Sequence, residues 1–127
     1  MSKHDILSRS DIMVLVNRFY DLVIPDETLG YLFSDVNWAK HKPVMYDFWE
    51  TMLLDNYVYK NNAMEVHFRL HDRHPLKPEH FTRWMELFEQ TVNTNFEGPV
   101  AEEALKRARS IAGIMAFKVS QLPNISA

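Results

Sequence analysis

The stretch Asp11-Ile12-Met13-Val14-Leu15-Val16-Asn17-Arg18-Phe19-Tyr20-Asp21-Leu22-Val23 places Ile12, Leu15, Val16, Phe19, Tyr20 and Val23 at steps of three, four and one. That is one face of an α-helix and not the alternation of a strand. Ser10 is a candidate cap, and a shorter helical turn is expected around Asp5 to Ser8. Ile24-Pro25-Asp26 breaks the helix, and Glu27 to Phe33 reads as one short helix or turn.

The same period recurs along the chain. Trp38 to Leu54 carries His41, Met45, Phe48, Trp49, Met52 and Leu53 on one face. Pro43 is awkward there, because a helix-interior proline costs about 3 kcal/mol. It belongs in a first turn, so His41 is expected at or just before the regular start of that helix. Asp55 to Asn62 reads as a loop and Ala63 to His71 as a short helix. A long helix from Pro78 or Glu79 to Phe96 follows, with Phe81, Trp84, Met85, Phe88, Val92 and Phe96 on its face. Gly98-Pro99 ends it and opens a last helix bearing Ala101, Ala104, Leu105, Ala108, Met115 and Val119. No useful length alternates with period two, so the class is all-α.

Composition bounds the rest. The 127 residues are 46% hydrophobic and 24% charged, as in a soluble globular protein, and one domain over residues 1–127 is expected. A net charge of -3 gives no basic excess for nucleic acid or an anionic membrane. With no Cys, disulfides, thiolate catalysis and iron–sulfur clusters are excluded. No apolar run approaches a membrane span, and Met1-Ser2-Lys3-His4-Asp5 opens no signal peptide, so a cytoplasmic protein is expected. Three glycines leave no phosphate-binding or dinucleotide fingerprint. Aromatic residues at 13% fill a bulky core or line a flat apolar guest.

Six histidines, His4, His41, His67, His71, His74 and His80, are the conspicuous chemical resource. On spacing alone three readings stand: exposed histidines at a helix end and loop, a non-haem metal site using His67, His71 and His74, or one histidine ligating a haem iron. His67-Phe68-Arg69-Leu70-His71 lacks the glutamate of a zinc-protease motif. Tyr20, His41 and Trp84 each bring a polar atom to an otherwise apolar face of a different helix. Buried, each needs a partner, and three together could converge on a polar ligand.

Arg18-Phe19-Tyr20, Leu29-Gly30-Tyr31-Leu32-Phe33, Trp38-Ala39-Lys40-His41-Lys42 and Asp47-Phe48-Trp49 follow one another in a distinctive order. Met52-Leu53-Leu54, His67-Phe68-Arg69-Leu70, His80-Phe81-Thr82-Arg83-Trp84, Arg107-Ala108 and Ile111-Ala112 continue it. In this order and spacing the chain resembles the truncated haemoglobins, specifically group III (P-type), from about Asp11 to Lys118. No glycine lies between Gly30 and Gly98, matching that group's lack of paired-glycine motifs. Pro43 departs from the family pattern just after His41.

The resemblance implies a two-over-two helical sandwich around haem b (iron protoporphyrin IX). It makes His67 the proximal iron ligand and Tyr20, His41 and Trp84 the distal ligand-binding residues. Phe19, Phe33, Met45, Phe48, Met64 and Phe81 would line the cofactor. His71, His74 and His80 receive no ligand role. Dioxygen, nitric oxide, carbon monoxide or peroxide would be the ligands and a reductase the electron source. Two or three donors suit tight oxygen binding, hence nitric oxide dioxygenase or peroxidase-like chemistry rather than delivery. The alternatives are a haem-free globin-like sensor or interaction domain, and the non-haem metal protein above.

Overall fold

The computed structural model describes residues 3–56 and 76–121. Among these residues four α-helices and one 3-10 turn appear, and no strand. Helix α1 is Arg9–Val23, the 3-10 turn Gly30–Phe33, α2 Trp38–Leu54, α3 Pro78–Asn95 and α4 Pro99–Ser120. Helix α1 packs on both α2 and α3, α3 packs on α4, and α2 reaches α4, giving the two-over-two sandwich. The helix expected over Ala63 to His71 lies outside the described residues, as does the loop after Asn56. With them go His67, Met64, His71 and His74.

The apolar face of α1 is buried as its period requires: Ile12, Leu15, Val16, Phe19, Tyr20 and Val23 all join the core. They meet Trp49 from α2, Leu87, Phe88 and Val92 from α3, and Ala101, Ala104, Leu105 and Ala108 from α4. The alanines on α4 present little bulk, so α3 can approach closely.

Three local expectations are corrected. Helix α1 starts at Arg9, and its cap is Ser8, whose side chain accepts from the Asp11 N–H; Ser10 is inside the helix. No helical turn precedes it over residues 5–8. The Asp11 carboxylate accepts from the Leu7 N–H at 2.9 Å, and the Asp5 carboxylate is committed elsewhere. In α2 the helix begins at Trp38, and the His41 N–H already bonds the Asn37 carbonyl at 2.9 Å. His41 is therefore inside the helix and Pro43 within its interior. Pro43 is exposed, and so is Ala39, whose carbonyl the missing N–H would have met; that face is open to water.

Polar links between elements fix the sandwich. The buried Glu50 of α2 meets Arg9 of α1 at 2.8 Å and also accepts from Asn56. Tyr46 donates to Asn17 at 2.7 Å across the same helix pair. Asp26, after α1, accepts from the Thr28 and Leu29 N–H groups and from Arg83 of α3 at 2.8 Å. Gly30 opens the 3-10 turn because a Cβ there would overlap the Ile24 carbonyl oxygen.

The start of α4 is capped from the far end of the chain. Asp5 accepts from the N–H groups of Val100 at 2.9 Å and Ala101 at 2.8 Å. Gly98 has φ +145°, and a Cβ there would lie 2.6 Å from an Asp5 carboxylate oxygen. Burial works against the Asp5 charge, but the backbone donors of Val100, Ile6 and Ala101 outweigh it and hold the carboxyl below its ordinary range.

Candidate functional site

A cavity opens where the four helices and the 3-10 turn converge. Phe19 and Tyr20 from α1, Phe33 from the turn, His41, Met45 and Phe48 from α2, and Phe81 and Trp84 from α3 all border it. Residues given no site role in the sequence complete the wall, among them Leu29, Leu32, Leu76, His80, Ile111 and Met115. The lining is overwhelmingly apolar and rich in aromatic rings, as a site for a flat apolar guest must be.

The aromatic rings lock one another. Phe19 meets Trp84 edge-on at 5.4 Å, and Trp84 stacks on Phe88 at 5.2 Å. Phe88 in turn stacks on Trp49 at 5.0 Å, joining α3 to α2 behind the cavity. Trp38, in the first turn of α2, lies 4.7 Å from the Tyr20 ring and 5.5 Å from His41. These contacts hold Tyr20 and His41 as a pair.

The polar atoms are few and placed. The Tyr20 hydroxyl and His41 Nε2 share a hydrogen bond at 3.1 Å. Burial pushes the Tyr20 hydroxyl above its ordinary value, so it remains a neutral donor at physiological pH. The Trp84 indole makes no hydrogen bond to any of the described residues. Tyr20, His41 and Trp84 thus come from three helices to one cavity.

His80 also borders the cavity and is buried, which corrects the reading of an exposed helix-end histidine. Its Nδ1 accepts from the Lys77 N–H at 2.9 Å, and its Nε2 meets the Tyr31 hydroxyl at 2.9 Å. Its position, third in a helix that follows Lys77-Pro78, is the capping-box position, and that was the available signal. Tyr31, distant in sequence, gave none. Among the described residues no three His, Asp or Glu side chains gather as a metal site. The trio His67, His71 and His74 lies outside them.

A haem fits this cavity on the chemistry of its walls. The aromatic faces suit a flat macrocycle, and the donors of Tyr20 and Trp84 suit a polar diatomic ligand within it. No helix among the described residues is long and apolar enough to cross a membrane.

The family described as Bacterial-like globin matches residues 5–117. The Group 3 truncated hemoglobin ctb of Campylobacter jejuni is 31% identical over 116 residues, spanning 87% of this chain and 89% of that protein. The crystal structure of group III truncated hemoglobin from Campylobacter jejuni superposes with a TM-score of 0.82 at 28% identity. It covers 96% of this chain and 98% of that one.

Proposed function

The chain belongs to the bacterial-like globin family and has the truncated haemoglobin fold, and from that premise we propose that it is a haem b protein for diatomic ligands. The observation that carries the reading is the hydrogen-bonded Tyr20–His41 pair set into an otherwise apolar aromatic cavity. Bound there, a haem supplies an iron that takes up dioxygen, nitric oxide, carbon monoxide or peroxide and exchanges electrons.

His67 is the proposed proximal ligand. Phe33, Met45, Phe48 and Phe81 hold the macrocycle by apolar contact and keep water out, and Phe19 packs beneath the tryptophan. Tyr20 and Trp84 are the proposed donors to a ligand with partial negative charge. His41 already shares the Tyr20 hydroxyl, so a ligand must compete for that donor. His41 then turns its ring away or adds a donor of its own.

Two or more donors in a dry cavity favour slow ligand release. That suits redox conversion of the ligand, such as nitric oxide dioxygenation or peroxide chemistry with an external reductase. It suits oxygen transport poorly. The chain is read as a single truncated-globin unit acting in the cytoplasm.

The test is an ultraviolet–visible spectrum of the purified protein, repeated after dithionite and then carbon monoxide. A strong Soret band that shifts on carbon monoxide is expected, and His67→Ala should abolish the five-coordinate ferrous spectrum. Colourless protein that also refuses added haemin would sink the haem reading.

A further inference from the structure

Beside the cavity a second hydrogen-bonded pair, Tyr31 and His80, ties the 3-10 turn to the first turn of α3. His80 is 5% exposed, whereas Tyr31 is 50% exposed, so the bond between them spans the wall from cavity to solvent. Both ring nitrogens of His80 are engaged. Nδ1 accepts the Lys77 N–H at 2.9 Å. In the neutral ring the proton is therefore on Nε2, which donates to the Tyr31 hydroxyl oxygen at 2.9 Å. The imidazole performs the task of the capping-box glutamate or glutamine and, with its other nitrogen, reaches a second element.

The sequence neighbours of this pair line the cavity. Leu32 and Phe33 follow Tyr31, Phe81 follows His80, and all three border the cavity. A bond from the 3-10 turn to the first turn of α3 thereby sets how far Phe33 and Phe81 can part. The turn has little other freedom, because Gly30 already lies against the Ile24 carbonyl.

We infer that the Tyr31–His80 hydrogen bond is a clamp that fixes the gap between Phe33 and Phe81 and so slows the escape of a flat apolar guest. Tyr31 and His80 are positioning residues, and the identity of the guest rests on the haem reading above. The clamp requires neutral His80. Burial pushes its imidazole below the ordinary value; Glu79 opposes and Lys77 reinforces that shift. Tyr31 faces it from the 3-10 turn, and Arg83, further along α3, is neutralised by Asp26 after α1. A proton on Nδ1 would meet the Lys77 N–H head-on, so acid opens the clamp.

The experiment loads the protein with haemin and follows haemin transfer to an excess of a colour-distinguishable apoglobin acceptor. Tyr31→Phe and His80→Leu should release haemin about fivefold faster, the factor of one net hydrogen bond. His80→Gln can accept from Lys77 and donate to Tyr31, so it should restore wild-type release near neutral pH. As pH falls below the ordinary imidazole range, the wild-type rate should rise more than that of His80→Gln, because the glutamine at that position does not titrate. Equal release from wild type and Tyr31→Phe overturns the clamp, and so does a His80→Gln pH profile that superposes on wild type. Should His80→Leu fail to fold, Tyr31→Phe, which removes one hydroxyl, still decides. If the wild type takes up no haemin, the haem reading falls on its own. The clamp is then judged by dissociation of an anilinonaphthalene sulfonate dye from the cofactor-free protein. Faster loss from Tyr31→Phe upholds the clamp and an unchanged rate overturns it.

Discussion

Tyr20 joins two roles that pull against each other. Its ring is core, packed on Phe19 and Trp38, while its hydroxyl is the buried donor of the cavity. Removing only the hydroxyl separates them. Tyr20→Phe keeps the ring contacts and is expected to speed dioxygen dissociation about fivefold, equivalent to about 1 kcal/mol. Stopped-flow displacement by carbon monoxide measures it; an unchanged rate would leave Trp84 as the donor that matters. Tyr20, His41 and Trp84 were legible as candidates because a polar atom on an apolar helical face is conspicuous. For His80 the spacing offers its capping position but not its partner, because the contact with Tyr31 spans 49 residues and leaves no trace in local spacing.

At the scale of elements, prolines and glycines drew the boundaries well. Pro78 and Pro99 occupy first turns, and α2 runs over the residues its hydrophobic period marks out. At the start of α1 two serines compete for the cap. Ser8 stands three residues before Asp11 and Ser10 before Met13, and only Asp11 has a carboxylate to reach back, to the Ser8 hydroxyl and the Leu7 N–H. The helix also began before Pro43, since lost hydrogen bonding on a face open to water is cheaper than in a core. The cap on α4 carries a stability prediction. Asp5→Ala leaves the Val100 and Ala101 N–H groups without their acceptor and should cost about 1 kcal/mol. Thermal unfolding should fall by roughly 4 °C. The Asp5 carboxyl is depressed in the folded protein, so its contribution is present above the unfolded value of about 3.9 and fades as pH falls through the folded value. The gap in unfolding temperature between wild type and variant should therefore close in acid; a gap that persists there would mean the charge is not what stabilises the cap.

The sandwich as a whole was readable only through its resemblance to a family. Periodicity identifies faces but not which faces meet. The pairings come from the buried apolar faces that meet in one core, with long-range links such as Arg9 to Glu50 and Arg83 to Asp26 laid across them. The cavity follows from those pairings, since it is the space that four aromatic faces leave when they are held at these distances. The contact of Asp5 with Val100 and Ala101 spans 95 and 96 residues, and it also bears on the order in which the molecule assembles. Joining positions so far apart carries a chain-closure cost that the cap alone does not repay, so the bond forms after the helices have docked. In a denaturant chevron, Asp5→Ala should leave the refolding limb in place and raise the unfolding limb by the whole loss of stability. The same bond that completes the last helix is thus expected to act as a brake on unfolding, with no part in the race to fold.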